Sequence, residues 1–168
     1  FELGGSFGFY YMDSKQKSIN QESSDNSTAF ICSINPAIYV VKGLSIEPEI
    51  GLMIAEETDP GIFLLGNVSY TYLIPEKSFA PYAKVGFGVT NSMFSIPNVN
   101  VFSKTSEDLD ITVFNLAAGL KFLINKTAII KTELNYRKLN YSQESGFAKY
   151  DYTLNYLSIL IGMSFLIN

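Results

Sequence analysis

Residues 129–141 read "IIKTELNYRKLNY". Taking every second residue from Ile130 gives Ile130, Thr132, Leu134, Tyr136, Lys138 and Asn140. The alternate set is Lys131, Glu133, Asn135, Arg137, Leu139 and Tyr141. A period of two is that of a β-strand, whose successive side chains point to opposite faces. One face here is largely apolar and the other carries charge. A strand on a water-soluble sheet alternates in the same way, so the stretch poses a single question: which face is inside.

The same alternation recurs along the chain. β-branched and aromatic residues bounded by turn residues predict eight strands: Glu2–Met12, Thr28–Val41, Leu44–Ala55, Ile62–Ile74, Ala80–Thr90, Asp110–Ile124, Ala128–Tyr141 and Asp151–Ile167. No segment shows a capped helical period, and no apolar run is long enough for a transmembrane helix. The connections sort by length. "DSKQKSINQESSDNS" (13–27), "EETDPG" (56–61), "NSMFSIPNVNVFSKTSEDL" (91–109) and "SQESGFAKY" (142–150) fall at one end of a meander. "KG" (42–43), "PEKSF" (75–79) and "NKT" (125–127) fall at the other. Long polar loops on one end and tight turns on the other are what antiparallel membrane barrels show.

Sorting the faces answers the opening question. Leu44, Ile46, Pro48, Ile50, Leu52 and Ile54 oppose Ser45, Glu47, Glu49 and Gly51. Ala83, Val85, Phe87 and Val89 oppose Tyr82, Lys84, Gly86 and Gly88. Phe114, Leu116, Ala118, Leu120 and Phe122 oppose Asn115, Ala117, Gly119 and Lys121. In the last strand Leu157, Ile159, Ile161, Met163, Phe165 and Ile167 oppose Ser158, Gly162 and Ser164. The polar face is rich in glycine, alanine and serine, with a few long charged residues among them. Glycine inside a strand marks close approach of neighbours, and an eight-stranded barrel has an interior just wide enough for side chains to fill.

With that face inward, Lys84, Lys121, Lys131 and Arg137 share the lumen with Glu2, Glu47, Glu49 and Glu133, four charges of each sign. Buried charges persist when they are paired and hydrogen-bonded. Ile46, Ile50, Leu52, Val85, Phe87, Leu116, Leu120, Ile130, Leu134, Ile159, Ile161 and Phe165 then face lipid. Tyrosine and phenylalanine gather toward strand ends, at Tyr10, Tyr11, Tyr70, Tyr72, Phe79, Tyr82, Tyr136, Tyr141, Tyr150 and Tyr152, where they suit interfacial girdles.

Composition narrows the chemistry. The chain has 168 residues, enough for a single barrel domain spanning 1–168, with 14% aromatic and only 17% charged residues. Its net charge of −4 speaks against a nucleic-acid partner. There is no histidine, which removes the commonest general base and transition-metal ligand, so no metal or other cofactor is expected. Cys32 allows no internal disulfide and reads as a small apolar strand residue. The Glu47/Glu49 pair could be acid/base machinery, or part of a lumen ion-pair network. The Gly-x-Gly segments lie mid-strand with no helix following, so they are not phosphate loops. The chain opens at Phe1 in strand-like sequence with no leader, as a mature exported chain would.

"PYAKVGFGV", "FNLAAGLKFLI", "TELNYR" and the terminal "YLSILIGMSFLIN" resemble the closing strands of small bacterial outer-membrane β-barrels, of the opacity-protein-like and OmpX/OmpA transmembrane-domain type. The likeness runs from Glu2 through Ile167. It implies an all-β, eight-stranded antiparallel up-and-down transmembrane barrel with a polar, side-chain-filled lumen, long loops extracellular and both termini periplasmic. Such barrels often end on an aromatic residue, whereas this chain ends "FLIN". The enzymes of this fold use histidine, so the resemblance implies a non-enzymatic barrel in outer-membrane lipid that displays loops or docks to another outer-membrane or extracellular protein. Met93, Phe94, Ile96, Val99, Val101 and Phe102 are apolar for an exposed loop and mark a candidate contact surface. Two other readings stand beside it: a narrow transport barrel for small apolar compounds, and a soluble lipocalin-like carrier with the faces reversed.

Overall fold

Eight antiparallel strands form a closed barrel in the computed structural model, each paired with its chain neighbour and the last with the first. It describes residues 1–18, 21–55, 60–90, 111–145 and 148–167, with the backbone alone at 12–18, 21–27, 55, 141–145 and 148–152. In chain order the strands are β1 (Glu2–Ser18), β2 (Gln21–Val41), β3 (Leu44–Ala55), β4 (Gly61–Thr71), β5 (Phe79–Thr90), β6 (Ile111–Leu123), β7 (Ala128–Ser145) and β8 (Ala148–Leu166). The register is staggered. The path from Gly5 through Ile34, Ile50, Leu64, Val89, Thr112 and Asn140 to Thr153 returns to β1 roughly ten residues beyond its start. Stagger of this kind tilts the strands and fixes how narrow the lumen is.

β4 shows why the strands form. Ile62, Leu64, Val68 and Tyr70 stand exposed on the outer wall, while Phe63, Leu65, Asn67, Ser69 and Thr71 are buried inside. The Lys42–Gly43 turn joining β2 to β3 needs a positive φ, and Gly43 supplies it at 84°. A side chain at Gly43 would also collide with the Thr71 carbonyl, since a Cβ there would lie 2.6 Å from its oxygen. Just before the turn the register shifts between Tyr39 and Val41, a bulge of the kind that re-aims side chains at barrel rims. Both chain ends lie at this short-turn end, where Ile167 N–H donates to the Phe1 carbonyl at 2.8 Å.

The strands run further toward the opposite end than the sequence reading had them. Residues 13–27 and 142–150, expected as loops, are mostly hairpin ladder. Ser18 pairs with Gln21, and Ser145 with Ala148. Their Ser, Asn, Gln and Asp content is poor for a strand. Once the barrel fixes the register, however, each further pair satisfies main-chain groups without needing an apolar side chain. At the other end β4 stops at Thr71, three residues before the expected Ile74. Residues 91–110, with the apolar cluster Met93, Phe94, Ile96, Val99, Val101 and Phe102, lie outside the described residues.

The core of the molecule is its lumen, and the lumen has two zones. The expected polar filling occupies the short-turn half. The half toward the long connections is apolar, built from Tyr10, Ile31, Met53, Phe63, Leu65, Val113, Leu139, Tyr156 and Leu160. Inward glycines make the slots for these large groups. The Phe63 ring occupies the space beside Gly51 where a Cβ would stand, and the Tyr82 ring lies 2.8 Å from the equivalent point on Gly119. Gly51→Val should therefore overpack the lumen and cost about 1–3 kcal/mol. Urea unfolding of the lipid-refolded protein checks this, and Phe63→Ala in the same chain should recover part of the loss by vacating the slot.

Candidate functional site

The inward residues of the short-turn half form a continuous polar network built from every strand. At its lower level sits Glu2, fully buried at the start of β1. Its Oε2 accepts from Tyr39 Oη at 2.6 Å and Lys121 Nζ at 3.0 Å, and its Oε1 from Ser164 Oγ at 2.7 Å. Lys131 Nζ completes the shell 3.7 Å from Oε1. With the Asn35 amide turned so that its nitrogen donates to the Gly4 carbonyl at 3.1 Å, its oxygen accepts from Lys131 at 3.2 Å. Tyr39 shares the parity of inward Ser33, Asn35 and Ala37, and though partly exposed at the rim its hydroxyl reaches Glu2 and Lys121.

The middle level is organised around Lys84. Its ammonium lies 2.8 Å from Glu133 and 3.6 Å from Glu49, bridging β7 to β3 across the lumen. Glu133 accepts two more bonds, from Tyr82 Oη at 2.8 Å and Asn135 Nδ2 at 2.9 Å. Glu49 accepts from Arg137 Nη2 at 2.7 Å and Asn67 Nδ2 at 3.1 Å. Asn115 links the groups, donating to Asn67 at 2.7 Å and accepting from Arg137 Nε at 3.2 Å. The Arg137 guanidinium also stacks on the Phe63 ring at 4.3 Å.

Glu47 is held differently. Its Oε1 accepts from Ser69 Oγ at 2.6 Å and Ser45 Oγ at 2.9 Å, and among the described residues no cation lies within ion-pair distance of it. The local charges are therefore uneven. Two lysines share Glu2, two cations face Glu49 and Glu133, and Glu47 stands on hydroxyls alone. Among the described residues, Thr71 Oγ1, Asn135 Oδ1 and Arg137 Nη1 are buried with no hydrogen-bond partner.

The structure thus places Glu2, Glu47, Glu49, Lys84, Lys121, Lys131, Glu133 and Arg137 inward and buried. Ile46, Ile50, Leu52, Val85, Phe87, Leu116, Leu120, Leu134, Ile159, Ile161 and Phe165 are exposed on the outer wall, and Ile130 there is half-buried. Two aromatics assigned to the rim lie elsewhere. Tyr10 and Tyr82 are buried in the lumen, because each shares parity with the inward set of its strand. Tyr11, Tyr70, Tyr72, Phe79 and Tyr136 are outward, while the side chains of Tyr141, Tyr150 and Tyr152 are outside the described set. The charge pattern did not single out Asn67, Asn115, Asn135, Ser45, Ser69, Ser164 or Tyr39. All but Tyr39 and Ser164 stand two residues or one cross-strand step from a buried charge, which is the signal that would have found them; Ser164 lies on the diagonal from Glu2, opposite Gly4.

No protein-family model matches the sequence, and no curated protein matches it. Solved structures do. The N-terminal β-barrel domain of Pseudomonas aeruginosa OprF superposes with a TM-score of 0.60 at 17% identity, covering 98% of this chain and 95% of that one. Neisserial surface protein A gives 0.62 at 7% identity, covering 99% and 97%. This chain has their fold. The outer-membrane enzyme PagL shares it too, with a TM-score of 0.57 at 13% identity over 96% of this chain and 98% of its own.

Lys84 offers the sharpest test of the network. Lys84→Met leaves Glu49 and Glu133 facing one another without their shared cation, which should cost about 3–5 kcal/mol in denaturant unfolding. Adding Glu133→Gln removes one of the stranded carboxylates, and the double variant should be more stable than Lys84→Met alone.

Proposed function

We propose that this protein is a non-enzymatic integral barrel of the bacterial outer membrane, an anchor that displays its long connections or docks them to another protein. The observation that carries the reading is the inversion of the faces: large aliphatic and aromatic side chains cover the outer wall while paired charges fill the lumen. Water would leave that wall with no compensation, whereas lipid tails solvate it. On this reading Ile46, Ile50, Leu52, Val85, Phe87, Leu116, Leu120, Ile130, Leu134, Ile159, Ile161 and Phe165 contact lipid. The short-turn end with both termini is periplasmic, and the ends of β1, β2, β7 and β8 project outside the cell. The apolar residues of 93–102 then offer a contact surface to an outer-membrane or extracellular protein.

A structural or display role is favoured over transport by the state of the lumen. Between its two zones, around Tyr10, Arg137 and Ser158, the open space is about 10 Å³, room for about one water. A catalytic role finds little support: the chain has no histidine, Glu2, Glu49 and Glu133 are tied to cations, and Glu47 is buried under the hydroxyls of Ser45 and Ser69. A lipocalin-like carrier would need its apolar side chains inside.

Reconstitution tests the membrane reading. In a Cys32→Ser background, Leu52→Cys should resist a water-soluble maleimide in phosphatidylcholine vesicles and react after denaturation. Ile159→Arg, mid-strand on the outer wall, should lower stability in bilayers by about 2–4 kcal/mol. A protein that is monodisperse in plain buffer, with Leu52→Cys freely labelled, would defeat the proposal. Planar-bilayer recording separates the roles: the display reading expects no ion conductance steps.

A further inference from the structure

The lumen closes in its upper half but opens at the short-turn mouth into a bowl of about 410 Å³. That volume falls in the range of roughly 300–1,000 Å³ typical of small-molecule sites. Val41, Leu73, Leu123 and Ile129 give it apolar walls. Its charged groups are of one sign, beside the hydroxyl residues Tyr39, Thr71 and Ser78. Lys121 lies at the floor, Lys42 and Lys77 stand at the rim, and among the described residues no acidic side chain lines it. Lys121 already touches Glu2 at 3.0 Å, but Glu2 also serves Lys131, so one carboxylate is divided between two ammoniums. Thr71 also lines the bowl, but it is only 3% exposed and its hydroxyl is sealed from what enters.

We infer that the bowl binds a small anionic amphiphile, with the carboxylate end of the ligand facing Lys121 and its alkyl chain lying along the apolar wall toward the open mouth. The rim lysines draw the anion in, and the uniform sign of the lining charges rejects a cationic head. The site does not depend on the display role proposed above, because it uses neither the long connections nor the outer wall.

The native chain has no tryptophan, so one placed in the bowl reports alone. The Leu73→Trp variant, in vesicles of zwitterionic phosphatidylcholine, is titrated with brominated dodecanoate. The Leu116→Trp variant on the outer wall reports simple partition of the quencher into lipid. Saturable quenching is expected for Leu73→Trp, with quenching merely proportional to dose for Leu116→Trp. Each added substitution is read as a shift of the midpoint. Lys42→Gln with Lys77→Gln, both outside the buried network, should raise it about tenfold. Brominated dodecanol, with the same tail and no charge, should bind more weakly than the acid. Proportional quenching in both tryptophan variants would overturn the site, as would equal binding of acid and alcohol. Refolding of each variant is checked by its resistance to urea, so a failure of the barrel is distinguishable from a failure of the bowl.

Discussion

Closing eight strands with this stagger leaves an interior that only side chains can fill, and in its short-turn half the filling is held by Lys84. One ammonium reaches both Glu133 and Glu49, at 2.8 and 3.6 Å, and so joins strands on opposite sides of the lumen. Taking an ion out of water costs several kcal/mol, so three such groups persist together only because each carries further bonds. Tyr82 and Asn135 serve Glu133, and Asn67 and Arg137 serve Glu49. The neutral amides are as necessary as the charges. Asn67 donates to Glu49, and Asn115 joins Asn67 to Arg137 on the far side of the same carboxylate.

A filled polar lumen dictates the rest of the wall. Long inward side chains need empty places opposite them, and the inward glycines are those places. The ring of Phe63 uses the space at Gly51, and Tyr82 that at Gly119. Small and large residues alternate around the lumen because its cross-section is fixed by strand number and stagger, so volume added at one position must be removed at its neighbour.

Much of this was legible in the chain, for one physical reason. Side-chain direction in a strand follows parity, so once the face holding Lys131, Glu133 and Arg137 was taken as inward, every other strand had to agree. The four-to-four charge count and the glycine-rich polar faces pointed the same way. Parity alone also places Tyr10 and Tyr82 inside. They were read as rim residues because tyrosine near a strand end suits either site, and only the cross-strand register puts Tyr82 against Glu133. The hairpin ladders at 13–18 and 142–145 were not legible, since their composition says loop and only a register set elsewhere says strand. Tyr39 follows the same parity as Ser33, Asn35 and Ala37, so its inward hydroxyl was within reach of the same argument.

The border between the two lumen zones shows how much one residue choice carries. Arg137 lies where the ionic half meets the apolar half, and it serves both. Its Nη2 and Nε edges bond Glu49 and Asn115, while the face of the guanidinium lies 4.3 Å from the Phe63 ring. A lysine ammonium is compact and strongly hydrated, with no apolar face to offer the ring. It could satisfy Glu49 only by leaving a wet group under Phe63, Leu139 and Tyr156. The planar cation instead ends the polar network with a surface the apolar zone can pack against. The half of the lumen toward the long connections can therefore be apolar directly above the charges, and the open volume of about 410 Å³ is left at the short-turn mouth, beside Lys121.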